Sequence, residues 1–153
     1  MIKTLLSVAL IGFVLSGCTT TQKQKTEETY GDAQYVVNEL QKGAALYFDT
    51  GSSSVDPKYD IYLSTAAMLL AKNPKLLLEL EGHTDNRGTD KVNNKISLDR
   101  ANAVRSILVV DYNVNPNQVR TLGAGSSKPM YDNNTAEGRA NNRRVSARIY
   151  IQQ

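Results

Sequence analysis

From residue 44 onward, apolar positions along the chain switch between a period of two and a period near 3.6. AALYF (44–48) predicts a strand, and DTGSSSVD (49–56) is a loop of turn formers. Asp56-Pro57 predicts a helix start, with a capping carboxylate followed by a proline at the first helical position. That helix should end at Asn73, because Pro74 disfavours helix at the residue before it. Ile61, Thr65, Met68 and Leu69 are expected on its inner face. LLLELE (76–81) predicts a second strand, with Leu76, Leu78 and Leu80 on one face and Leu77, Glu79 and Glu81 on the other. After the turn GHTDNRG a long helix is expected from about Asp90 to Tyr112, with Val92, Ile96, Ala103, Ile107 and Val110 as its apolar stripe. VRTLGAG (119–125) predicts a third strand, residues 136–142 a short helix, and RVSARIYI (144–151) a final strand alternating at period two. AQYVVNEL (33–40) reads as another short helix. The order β-α-β-α-β followed by a last β implies an α/β (α+β) domain, a small mixed sheet with its helices packed on one face.

The N-terminal residues have a different pattern. MIKTLLSVALIGFVLSGC places Lys3 ahead of an apolar run, Leu5 to Leu15, and then Leu15-Ser16-Gly17-Cys18. The run is shorter than the ~20 residues a spanning helix needs, and it suits a signal-peptide core. Small residues ahead of a cysteine resemble a bacterial lipobox, so residues 1–17 are expected to be a lipoprotein signal and Cys18 the acylated first residue, with palmitate among its chains. Cys18 is the only cysteine, so no disulfide forms within the chain, and acylation removes the lone thiol. Each buried methylene of an acyl chain contributes about 0.8 kcal/mol to membrane anchoring. Thr19 in place of an aspartate favours the outer membrane in lipoproteins of this kind. TTTQKQKTEETY (19–30) is polar and aperiodic. Residues 18–42 are read as a lipidated tether of about 25 Å r.m.s. span, and residues 43–153 as the folded domain. The charge of +3 is small and mixed in sign, which excludes a nucleic-acid stripe.

The candidate chemistry lies in GHTDNRGTDKVNNKISLDRANAV (82–104). Asn93, Ser97 and Arg100 fall at i, i+4 and i+7, on one helix face. That face is expected to lie apart from the apolar stripe, on the turn side, near Asp85. Asp85 offers acceptor oxygens and Arg100 a planar fork of donors. From spacing alone two readings stand: an internal salt bridge, or two charges held apart for a zwitterion. His83, the only histidine, lacks partners for a metal site. GAG at 123–125 is not a dinucleotide fingerprint. No metal or cofactor is expected.

Thr84-Asp85, Gly88, Asn93, Ile96-Ser97, Arg100-Ala101 and Val104 together resemble the signature of the OmpA-like C-terminal domain family, which includes the peptidoglycan-associated lipoproteins. Ile96 stands where leucine is usual, and Val92 where an aromatic is common. The likeness extends to Tyr47-Phe48-Asp49 and to Asn142-Arg143-Arg144-Val145, and covers about residues 43–152. The resemblance implies noncovalent binding of peptidoglycan stem peptides through meso-diaminopimelate. It implies that Asp85 takes the ammonium and Arg100 the carboxylate. Phe48 and Asp49 would form a pocket wall, and Thr84, Asn93, Ile96 and Ser97 the rim. Arg143 and Arg144 admit two roles, an extra clamp on ligand carboxylates or internal partners of Asp49 or Asp85, with Arg144 the more structural.

These readings lead to an outer-membrane lipoprotein facing the periplasm, whose partners are peptidoglycan and membrane lipid, and which tethers the membrane to the wall. An envelope scaffold that docks other proteins is one alternative. A cell-wall hydrolase is another, but the sequence shows no nucleophile–base pair or catalytic carboxylate couple at a convincing spacing.

Overall fold

The computed structural model describes Tyr35 and residues 38–151. The expected signal segment, Cys18 and most of the expected tether lie outside the described residues. Tyr35 and residues 38–42 are helical, and Leu40 is buried in the core. Packing therefore reaches back past the boundary expected at residue 43, because an apolar side chain at position 40 has the domain's core to enter.

Four strands form one sheet: β1 (Ala44–Tyr47), β2 (Leu76–Gly82), β3 (Val119–Gly123) and β4 (Arg144–Ile151). Their spatial order is β1-β4-β2-β3. β4 runs antiparallel to both its neighbours, while β2 and β3 are parallel. Parallel neighbours need a crossover, supplied here by helix α2 (Asp90–Ser106). Helix α1 (Asp60–Lys72) joins β1 to β2, and the short α3 (Ala136–Asn142) precedes β4. The sheet is mixed, as the sequence order predicts.

Side-chain caps mark the expected helix starts. Asp56 accepts from the Lys58 N–H at 2.9 Å, opening the turn Pro57–Tyr59 that leads into α1. Thr89 caps α2 and Thr135 caps α3. Helix α2 does not run regularly to Tyr112. A π turn over Ile107–Asp111 takes over its end, and Asn113 follows in the left-handed region at φ 54°, which asparagine tolerates.

One sheet face is apolar. Leu46, Val145, Ala147, Leu78, Leu80 and Val119 meet the two long helices there in a single core. The opposite face carries Ser146, Arg148, Glu79, Glu81 and Arg120 in register. Helix α1 does not use the inner face expected of it. Leu63, Ala66, Ala67 and Leu70 are buried, whereas Ile61 and Met68 are exposed and Leu69 is only partly covered. Of the expected set only Thr65 is fully inside. The observed residues keep i, i+3, i+4, i+7 spacing, and the two alanines let the helix approach the sheet closely.

Helix α2 is rotated in the same sense. Val92 is 49% and Val110 73% exposed, and Ile96, Ala103 and Ile107 are half-buried. Asn93, Ser97, Arg100, Ala101, Val104 and Leu108 face inward instead. The polar trio therefore does not lie apart from the buried stripe, but forms its N-terminal half. The cause lies at the strand ends. A Cβ on Gly82 would stand 1.8 Å from the Ser97 carbonyl oxygen, and one on Gly123 2.9 Å from the Ser97 hydroxyl. The helix rests directly on backbone there, so polar side chains fit beside it and bulky apolar ones do not. Gly82→Ala forces α2 off the sheet. It should cost about 3 kcal/mol or more, read as a lowered denaturant midpoint. Full stability in that variant would show that the helix can shift without loss.

Candidate functional site

Arg100 lies midway along α2 and is 1% exposed. Its Nε donates to the Ser52 carbonyl at 2.8 Å, Nη1 to that of His83 at 2.8 Å, and Nη2 to that of Asp49 at 2.9 Å. The Phe48 ring centroid lies 5.3 Å from its guanidinium carbon. Among the described residues no carboxylate forms an ion pair with it. Isolated burial of a charge is costly, and here three carbonyl dipoles and an aromatic face replace lost water. Burial pulls its pKa down to about 10, the nearby Arg143 charge pulls the same way, and Asp85 opposes both. Arg100 thus stays protonated at neutral pH, with two of its five N–H groups unspent in these bonds.

Asp85 is 5% exposed. Gly88, at φ +90°, turns the chain back after it. One carboxylate oxygen accepts from the Arg87 N–H at 3.0 Å, and the other from Arg143 Nη1 at 3.0 Å. Arg143 also donates from Nε to the Phe48 carbonyl at 3.1 Å. The internal salt bridge is therefore Asp85–Arg143. An Asp85–Arg100 pair is not formed.

Asp85 and Arg100 line one cleft of about 200 Å³, together with Thr84, Asn93, Ile96 and Arg143. Thr50, Gly51, Arg87, Gly88 and Val92 complete its lining. A Gly-punctuated turn thus holds an acceptor, and the adjoining helix holds a donor fork, with apolar Ile96 and Val92 also in the lining. This arrangement suits a small ligand carrying both signs of charge.

A family model described as the OmpA family matches residues 47–143. The chain belongs to the OmpA family. It is 40% identical over 116 residues to outer membrane protein Omp38 of Acinetobacter baumannii, covering 76% of this chain and 33% of the relative. It thus spans about a third of that relative's length. It is 31% identical over 124 residues to the peptidoglycan-associated lipoprotein of Buchnera aphidicola, covering 81% and 71% of the two chains. Among solved structures it resembles the peptidoglycan-associated lipoprotein from Burkholderia pseudomallei. The TM-score is 0.67 at 31% identity, covering 69% of this chain and 89% of that one.

Within this OmpA-family domain, not every residue implied by the resemblance reaches the cleft. Phe48 is buried beneath Arg100, and Asp49 contributes its carbonyl to the same guanidinium. Ser97 is fully buried. Its hydroxyl donates to the Asn94 carbonyl at 2.9 Å and accepts from the Gly125 N–H at 3.0 Å, so it fixes the helix against the loop after β3. Arg144 lies outside the cleft, bonded to the carbonyls of Asn142 and Lys128. Arg87 and Val92 were not expected at the site. Arg87 shares the Asp85 turn, and Val92 precedes Ile96 by one helical turn, so both signals were present in the sequence.

His83 supplies a carbonyl to Arg100, while its ring is 2% exposed. Nε2 lies 3.4 Å from the Ser146 hydroxyl and 3.8 Å from Glu81, and Nδ1 has no partner among the described residues. Burial first, then the Arg144 charge, lower its pKa from 6.5 to about 4, against the pull of Glu81. Below pH 6.5 the unfolded chain binds a proton that the folded chain refuses. Stability should therefore fall as pH drops from about 6.5 to about 4 and level off below, by on the order of 3 kcal/mol from this group. Urea melts of wild type and His83→Gln at pH 7 and pH 4.5 check this. The pH-dependent loss should shrink in the variant, and equal losses in both would remove His83 as its source.

Proposed function

We propose that the protein is an envelope lipoprotein whose domain binds peptidoglycan noncovalently, by gripping the zwitterionic end of meso-diaminopimelate in the Asp85–Arg100 cleft. The observation that carries this reading is the pairing pattern. Arg100 is a buried cation with no carboxylate partner among the described residues and with spare donors. It lines the same cleft as Asp85, whose oxygens keep lone pairs beyond those given to Arg87 and Arg143. A ligand carboxylate completes the first and a ligand ammonium the second. Thr84, Asn93, Ile96 and Arg143 shape the walls, with Phe48 and Asp49 holding Arg100 from behind. Two relatives are named peptidoglycan-associated lipoproteins, which supports the same reading. Residues 1–17 as a signal and acylated Cys18 as an outer-membrane anchor complete it. Individual contacts need only moderate strength, because many copies beside one polymer act at high effective concentration.

A sacculus pull-down tests the reading. The full chain in mild detergent is mixed with walls containing diaminopimelate or lysine at the third stem position. Wild type should sediment only with the diaminopimelate walls. Each charge-assisted bond is worth about 1.5–3 kcal/mol, so Asp85→Ala and Arg100→Ala should each weaken sedimentation at least about tenfold. Equal sedimentation of all three proteins would overturn the clamp, and release of soluble muropeptides would point to a hydrolase instead.

A further inference from the structure

The two outer strands of the sheet, β1 and β3, differ in how their edges are covered. On β1 the outward N–H of Tyr47 donates to the Tyr59 hydroxyl at 2.9 Å. Such cover is general, because unpaired backbone groups on an edge recruit other strands. β3 has less of it. The Ala124 N–H donates to the Gly82 carbonyl at 2.9 Å. That phase turns the backbone N–H and C=O groups of Arg120 and Leu122 toward β2, and those of Val119, Thr121 and Gly123 outward. Arg105 caps the start of this edge, its Nε donating to the Val119 carbonyl at 3.1 Å. The outward groups of Thr121 and Gly123 have no partner among the described residues.

The surroundings of this open edge differ in charge from end to end. Beside Gly123 lies a cleft of about 570 Å³, walled by Asp90, Asn94 and Leu98 of α2 and by Ser126 and Ser127. The Asp90 carboxylate makes no hydrogen bond or ion pair with the described residues. At the other end stand two cations, Arg105 on Val119 and Arg120, whose side chain is 65% exposed. An acidic end, a basic end and free backbone donors and acceptors between them make the edge complementary to its own reverse. A patch that matches itself on reversal is what a closed two-fold assembly uses.

We infer that β3 pairs antiparallel with β3 of a second copy of this chain, about a two-fold axis at Leu122, joining the two sheets into one. In this register Thr121 of each copy faces Gly123 of the other, and the outward groups of both are satisfied at once. The half-buried Leu122 side chains meet across the axis at a non-hydrogen-bonded pair, where side chains stand closer. Val119 falls opposite Gly125, so Arg105 sits at the end of the pairing and does not obstruct it. The same rotation brings Arg105 of one copy to the cleft that holds Asp90 of the other. Copies anchored on one membrane, as proposed above, meet at high effective concentration, so a short pairing suffices. The inference is independent of which ligand fills the Asp85–Arg100 cleft.

Oxidative cross-linking of the full chain in mild detergent tests this. Wild type, whose single cysteine is Cys18, sets the background. Leu122→Cys should form a covalent dimer well above it, because Cα atoms at a non-hydrogen-bonded pair lie about 4.5 Å apart, within the roughly 4.4–6.8 Å that a disulfide spans. Arg120→Cys should stay at background, since four residues of offset place the two positions roughly 14 Å apart. Thr121→Pro removes one outward N–H, which an edge strand tolerates, and should abolish cross-linking of Leu122→Cys. Asp90→Arg turns an attraction into a repulsion and should lower the yield several-fold. It alters only an exposed side chain, so it decides the matter if the proline variant fails to fold. Leu122→Cys at background overturns the inference. So does equal cross-linking through Arg120→Cys, which would report random collision, or a Leu122→Cys yield that Asp90→Arg leaves unchanged.

Discussion

A guanidinium buried in the domain, with no carboxylate partner among the described residues, organises this structure. Arg100 is tolerable at that depth only because three backbone carbonyls converge on it, from Asp49, Ser52 and His83. Those carbonyls belong to the loop after β1 and to the residue just past β2. One side chain on α2 thus ties together a loop, a strand end and a helix that are far apart in sequence. Replacing Arg100 with lysine would not reproduce this, since an ammonium lacks the planar fork that reaches all three oxygens. The same three bonds leave two guanidinium N–H groups unused among the described residues, so the interaction that holds the fold also leaves donors for the cleft.

Asp85 is arranged by a different means. Its partner inside the protein is Arg143, which enters from the end of α3 and is itself anchored on the Phe48 carbonyl. The acidic and basic halves of the cleft are therefore stabilised separately. Neither has to collapse onto the other to be satisfied, which keeps the cleft open between them. Close contact of α2 with Gly82 and Gly123 fixes the distance across it.

Strand and helix order, the Asp56 cap and the mixed sheet were legible in the sequence, because turn chemistry and period-two alternation report local backbone preference. Asp85 and Arg100 were legible as candidates too, through the Thr84-Asp85 to Val104 spacing. The facing of the helices was not. Counting bulky apolar residues selects Ile61 and Met68 on α1, and Val92 and Val110 on α2. The sheet instead takes the sides with Ala66 and Ala67, and with Asn93, Ser97 and Arg100. That choice is set by close approach to strand-end glycines, a contact between positions distant in sequence that no helical periodicity encodes. The bonding of Ser97 was hidden for the same reason, since only the fold shows its hydroxyl bonded to Asn94 and Gly125. The Asp85–Arg143 pair spans 58 residues, and the sequence could offer it only as one option among several.

The position of β4 has a further consequence. This strand follows every other element in the chain, yet it sits inside the sheet between β1 and β2. Until it is available, β1 has no neighbour to pair with and one hydrogen-bonding edge of β2 is open. The sheet can therefore close only when the last strand has been delivered, and non-local closure of this kind is slow. Commitment to the complete sheet therefore waits for residues 144–151.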